Sequence, residues 1–253
     1  MGIDSGIIKP LGGSASFSKD FQQAVDADGK ILGYEIDDLT GIGPYSVYPR
    51  TSGIEANQVV NLTGAQYVCA NYRARATVVF QNKTPMCQYR AVGHPIAVMV
   101  TEGLVDRCAA EIGMDPAELR RRNLIARDAM PFTNGVGVTY DSGDYRACMD
   151  EALEKADWSG FAARKNETAA RGLCRGIGVA NYIETATGWP VERAEMTILP
   201  DGIVDLVIGT QASGQGHETS FAQLAVDFLG VPFDAVRLRT GDTAFVAEGS
   251  GSH

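Results

Sequence analysis

The stretch Ser213-Gly214-Gln215-Gly216-His217-Glu218-Thr219 constrains this chain more than any other. It follows a strand-like run at 202–210 and opens a helical pattern in which Phe221, Leu224, Ala225, Phe228 and Leu229 recur at i, i+3, i+4, i+7 and i+8. Gly230 and then Pro232 end that pattern. Two glycines let a backbone come close to a ligand, and the unpaired N–H groups of a helix start turn partial positive charge toward it. Strand, glycine turn and helix in this order predict either an anion-binding geometry or a turn that only enters the helix.

At 253 residues the chain can form one or two domains with a substantial core. Its apolar and charged fractions, 45% and 21%, exclude wholesale disorder and a collagen-like repeat. No apolar run approaches the ~20 residues of a spanning helix, and the polar, glycine-rich beginning lacks the pattern of a secretory signal. A cytoplasmic protein without a membrane partner is expected. A net charge of −9 disfavours nucleic acid. Arg120-Arg121-Arg122 is the one strong basic cluster, expected as a solvated helix face or an inter-domain contact. The cysteines, Cys69, Cys87, Cys108, Cys148 and Cys174, show no C-x-x-C spacing and read as reduced structural thiols rather than zinc or iron–sulfur ligands. His217-Glu218 lacks a second histidine at metalloprotease spacing, and no G-x-S-x-G elbow occurs.

Residues 1–19 read as an irregular leader, and 21–39 as a hairpin turning at Asp26-Ala27-Asp28-Gly29. Residues 41–71 are turn-rich, with Tyr45, Tyr48 and Tyr67 expected to pack a long loop, and 77–80 form a short strand. Pro95 stands where a first helical residue belongs, and Ile96, Val100, Leu104, Cys108 and Ile112 mark a buried stripe. Asp115 as N-cap with Pro116 at the first helical position starts another helix. A loop at 131–143, a helix at 144–158 with Leu153 and Ala156 inward, and a polar helix at 161–170 follow. Strands are expected at 172–185, 191–199, 203–209 and 235–240. The class is α+β.

Among residues able to carry chemistry, Arg90 lies in the loop before Pro95 and can place a planar donor fork against an oxygen, or serve as a surface ion-pair residue. The Gln215 amide can both donate and accept, or belong to an ordinary loop. His217 titrates near neutrality but stands at a helix start, where a structural role is equally open. Glu218 is favoured there by the helix dipole alone, and Asp242 can simply stabilise a turn.

Two blocks of text resemble a known family. Gly209-Thr210-Gln211-Ala212-Ser213-Gly214-Gln215-Gly216-His217-Glu218-Thr219, then Ala222-Gln223, Leu229-Gly230-Val231-Pro232 and Gly241-Asp242-Thr243, is similar to the second molybdopterin-binding region of the xanthine dehydrogenase and aldehyde oxidase family. Asn82-Lys83-Thr84-Pro85, Tyr89-Arg90-Ala91-Val92-Gly93-His94-Pro95, Glu102, Asp106 and Asp115-Pro116 with Arg120 and Asn123 resembles the first such region of the same large subunit. The resemblance covers 21–253.

It implies two related lobes of mixed sheet with helices, 20–160 and 161–253, facing a shared molybdopterin cleft. The implied cofactor is molybdenum–molybdopterin, as such or as its dinucleotide, with Arg90, Ala91, Gly214, Gln215, Gly216, His217, Glu218, Thr219, Asp242 and Thr243 around it. The pterin dithiolene holds the metal, so no protein metal ligand is expected. Iron–sulfur and flavin (FAD) groups belong to partner subunits, which with the remainder of the large subunit and a small-molecule substrate complete the implied partners. The implied reaction is hydroxylation of an aldehyde or N-heterocycle with water-derived oxygen. Departures also count. The family glutamate that takes a proton from the molybdenum-bound hydroxyl is not found, so the catalytic residue is expected outside this sequence and the isolated chain inactive. Gly12-Gly13-Ser14-Ala15-Ser16-Phe17 is a poor echo of the family's G-G-x-F-G block. In the carbon monoxide dehydrogenase branch a cysteine directly follows the motif arginine; here Ala91 does, and Cys87 lies three positions before, so that chemistry is not implied. The alternative is a non-catalytic remnant or assembly module that keeps the fold.

Overall fold

Asp26 folds the first strands back on each other: its Oδ1 accepts from the backbone N–H of Asp28 at 3.0 Å and of Lys30 at 2.8 Å. Gly29 completes the turn at φ +80, a left-handed conformation for which a side chain carries a penalty. Strands β2 (Phe17–Val25) and β3 (Ile31–Gly41) pair antiparallel across it, the hairpin expected from the sequence. The computed structural model describes residues 2–4, 17–47, 51–86, 91–184 and 192–249, with side chains from residue 21 onward. Gly2–Asp4 form β1 against β2, so strands occupy both described ends of the segment expected as an irregular leader. Strand β4, Tyr72–Val79, is longer than the four residues expected and runs parallel to β3, giving the order β1-β2-β3-β4.

A parallel return needs a crossover, and the segment expected as a turn-rich loop supplies it as α1, Ile54–Leu62. Of the tyrosines assigned to that loop, Tyr67 is buried, Tyr45 is exposed, and Tyr48 lies outside the described residues. Helix α2, His94–Ile112, carries Pro at its first turn and ends on left-handed Gly113. Its buried Val100, Leu104 and Cys108 meet Phe21, Val25, Tyr34 and Ile36 from the sheet. Helix α3 (Pro116–Asn123) starts as expected, with Asp115 accepting from the N–H groups of Ala117 and Glu118 at 2.8 and 3.1 Å. At its other end Asn123 clamps the first hairpin: Oδ1 accepts from Ile31 N–H at 2.8 Å and Nδ2 donates to Gly29 O at 2.7 Å.

Arg120 corrects the expectation of a solvated arginine face, because its side chain is fully buried. Its Nε donates to Glu102 Oε2 at 2.8 Å and its guanidinium reaches Asp106 at 2.7 Å. Arg121 and Arg122 do stand at the surface, paired with Asp150 and Glu118. Strands β5 (Phe132–Thr133) and β6 (Thr139–Tyr140) form a small hairpin inside the expected loop. Helix α4 (Tyr145–Lys155) buries Met149 and Leu153, with Ala156 exposed instead of inward, and α5 spans Phe161–Ala170. The strand expected at 172–185 makes no ladder over its described part. One of its N–H groups is used differently: Asn181 donates to buried Glu102 at 3.0 Å.

A second unit holds β7 (Ala194–Ile198), β8 (Val204–Ile208), α6 (His217–Leu229) and β9 (Val236–Arg239). Strands β7 and β8 pair antiparallel around Gly202, and α6 is the crossover that lets β9 pair parallel with β8. Asp205 on β8 accepts from Arg237 and Arg239 on β9, each at 2.8 Å, and those bonds hold its carboxyl below the usual range. Helix α6 ends at Gly230 as expected, but it buries His217, Ala222 and Ala225, leaving Leu224 and Phe228 exposed. By compactness the chain divides into Met1–Glu184 and Thr185–His253. Mixed sheets with helices make the fold α+β.

Candidate functional site

The loop leading into α6 takes its shape from two left-handed glycines, Gly214 at φ +112 and Gly216 at φ +77. A Cβ added at either would meet nothing, so the space beside this backbone is open. Gly216 is the N-cap, and among the described residues no side-chain cap satisfies the first-turn N–H groups at the positive end of the helix. Thr219 and Ser220 N–H groups already turn back to Gly216 O, at 3.0 and 3.1 Å. Glu218 and Thr219 are exposed, and Gln215 folds its Oε1 onto the N–H of Ser213.

His217 is the first residue of α6, with 7% of its surface exposed. Its ring lies 4.7 Å from that of Phe221, and its buried Nδ1 has no hydrogen-bond partner among the described residues. It does not cap the helix. A buried polar atom without a partner is costly, so a group beyond the described residues is expected to satisfy it. Just before Asp242 and Thr243, within the same unit, the chain meets the run that leads into this loop: Thr240 donates to Thr210 O at 2.5 Å, Gly241 abuts Gln211, and Gly249 backbone abuts Gly209. Asp242 itself accepts from Ala244 N–H at 2.8 Å, a turn role, while Thr243 is exposed.

In the first unit, Arg90 and Cys87 lie outside the described residues. Ala91 and Val92 both adopt positive φ, +62 and +48, directly before α2. Gly93 follows because nothing larger fits: a Cβ there would come within 2.5 Å of Glu55 O. Its N–H donates to Gln58 Oε1 at 2.8 Å. His94, quoted in the sequence block without a role, is buried and places Nδ1 2.8 Å from Ala91 O. The only signal for it was the adjoining glycine and proline. Among the described residues no group of three or more His, Cys, Asp or Glu could hold a metal ion. A groove of about 510 Å³ on β2, β3 and β4 shares no residue with either loop.

An open glycine cradle at a helix start without a side-chain cap, beside a buried imidazole nitrogen that has no partner among the described residues, fits a polar, anionic group such as a pterin phosphate. Comparison with known proteins agrees. Residues 11–124 and 151–253 each match a molybdopterin cofactor-binding domain. The chain is 31% identical over 246 residues to the nicotine 6-hydroxylase large subunit of Paenarthrobacter nicotinovorans, covering 91% of this chain and 30% of that protein. It is 29% identical over 235 residues to the xanthine dehydrogenase molybdenum-binding subunit of Escherichia coli O157:H7, covering 90% and 30%. The crystal structure of quinoline 2-oxidoreductase from Pseudomonas putida 86 superposes with a TM-score of 0.81 at 31% identity, covering 94% of this chain and 32% of that one. The chain thus spans about 30% of the length of the curated relatives it matches. With both halves matching molybdopterin-binding domains, it belongs to the xanthine dehydrogenase and aldehyde oxidase family of molybdopterin-binding large subunits.

Proposed function

We propose that this chain holds molybdenum–molybdopterin in an oxidoreductase that hydroxylates a nitrogen heterocycle with water-derived oxygen and passes electrons to iron–sulfur and flavin groups on partner subunits. The observation that carries the reading is the loop from Ser213 to Thr219, open where glycine side chains are lacking and backed by His217 Nδ1, which has no partner among the described residues. Relatives named for nicotine and quinoline favour a heteroaromatic ring over an aldehyde. When bound, the cofactor supplies the two-electron acceptor for carbon hydroxylation. The residues of this chain do the holding. Backbone N–H groups at the start of α6 face an anionic oxygen, and Gln215 offers an amide to a pterin edge. His217 Nδ1 gives or takes one hydrogen bond at the buried side of the cradle. Asp242 keeps its turn in shape by accepting from Ala244 N–H.

Expression with its partner subunits, followed by elemental analysis for molybdenum and fluorescence of the oxidised pterin, tests the reading. About one molybdenum and one pterin per chain is expected, and a Gly214→Val, Gly216→Val pair should lose both. If the wild-type complex carries neither, the chain is a non-catalytic module.

A further inference from the structure

Two consecutive residues other than glycine, Ala91 and Val92, occupy the left-handed region at φ +62 and +48. For a β-branched side chain such as Val92 that is an outlier, and it persists only where the surroundings over-determine it. The surroundings here are specific. The carbonyl of Ala91 accepts from the backbone N–H of His94 at 2.9 Å and lies 2.8 Å from His94 Nδ1. For Nδ1 to donate there the ring must carry its proton on that nitrogen, which leaves Nε2 to face Glu184 Oε1 at 3.4 Å. The His94 side chain is 7% exposed, so its ring has little room to turn to water. Glu184 follows by three residues Asn181, whose N–H is tied to buried Glu102 at 3.0 Å. On the other side of the loop, Gly93 is pressed against α1, and its N–H donates to Gln58 Oε1 at 2.8 Å.

Resting on the cofactor reading above, we propose that His94 and Gln58 are positioning residues that hold Ala91 and Val92 in the left-handed form and so set how well the chain retains its pterin. His94 closes the loop from the α2 side and Gln58 from the α1 side. Neither role needs contact with the cofactor. Because the cost being held down is a property of side chains at left-handed φ, glycine at position 92 should make His94 dispensable.

Hydrogen exchange read by mass spectrometry on residues 91–97 tests the holding directly, with or without cofactor. His94→Leu should speed exchange of that segment about tenfold, the effect of losing one buried hydrogen bond. His94→Asn keeps a donor at the Nδ1 position and should restore protection, as should adding Val92→Gly to His94→Leu. Unchanged exchange in His94→Leu, or no recovery with His94→Asn, overturns the proposal. Should His94→Leu not fold, Gln58→Met removes only the acceptor of Gly93 N–H, and unchanged exchange there overturns it equally. Pterin content of the same variants, purified with their partners, separates the two readings. Retention by wild type with loss in His94→Leu and recovery in His94→Asn supports both. Equal retention in wild type and His94→Leu overturns the positioning role, whereas absence from wild type defeats the cofactor reading and leaves the exchange result to decide on His94.

Discussion

Arg120 reads in the sequence as one of three like charges, yet in the fold it is the one with no exposed side-chain surface. Its guanidinium neutralises Glu102, which also accepts from Tyr67 Oη at 2.8 Å and Gln66 Nε2 at 2.7 Å. Burial, and then the Glu102 carboxylate, push the Tyr67 phenol well up, so it stays a donor. Removing one partner of such a group strands the other charge. We expect Arg120→Met to cost about 3–5 kcal/mol in urea unfolding, and Arg122→Met under about 1 kcal/mol. The sequence could not separate the two because the difference lies in partners 14 and 18 residues away on another helix. Cysteines show the same limit. Burial pushes the Cys108 thiol from 9.0 up to about 11, whereas Cys148 and Cys174 are exposed. The folded value is the raised one, so the stabilisation from a neutral Cys108 is complete below pH 9.0 and is lost as pH rises to about 11. Peptide mapping after iodoacetamide at pH 8 should find Cys148 and Cys174 alkylated and Cys108 protected; early labelling of Cys108 would contradict its burial.

Elements that carry their own start and stop signals were legible, and those defined by distant pairing were not. Helix α3 is the clear case, since Asp115-Pro116 encodes both a cap and a permitted first residue. Asp115 also accepts from Trp158 Nε1 at 3.3 Å, which ties the cap to the end of α4. Asp115→Ala should therefore cost about 1–2 kcal/mol by chemical unfolding, and Asp115→Asn, which keeps an acceptor, only a few tenths. Equal losses from both would mean that charge rather than capping holds the helix. By contrast, α1 hides in a segment dominated by turn residues, and only the parallel register of β3 and β4 requires it. The run at 172–184 has strand-like alternation, with Ile177, Val179 and Ile183 partly covered, but alternation says nothing of a ladder partner. The candidate loops fall between these cases: Gly214, Gly216 and Gly93 were readable as glycines, while the strain at Ala91 and Val92 has no signature in residue type.

Across the whole molecule the two units differ in how much they bury. The first packs Phe21, Tyr34, Ile36, Tyr67, Leu104, Leu119 and others into one core, whereas among the described residues of the second the buried apolar ones are Val204, Leu206, Ala222 and Ala225. Its three-stranded sheet covers only a narrow, alanine-lined stripe of α6, which is why the larger residues of the periodic pattern stay outside, Phe228 at 83% exposure. Met196, Ile198, Phe233 and Phe245 are exposed in the same unit, an arrangement that marks either an interaction surface or an aggregation hazard. With less apolar area buried, the second unit should open first. Hydrogen exchange should run faster over 194–239 than over 94–123, and heating should produce light scattering before the first unit unfolds. Phe228→Glu should delay that scattering while moving either transition by no more than ~2 °C, since an exposed substitution changes stability by about 0.5 kcal/mol or less. A single cooperative transition with matched exchange in both units would refute the difference in stability, and a larger drop in Tm on Phe228→Glu would mean that this ring is packed after all.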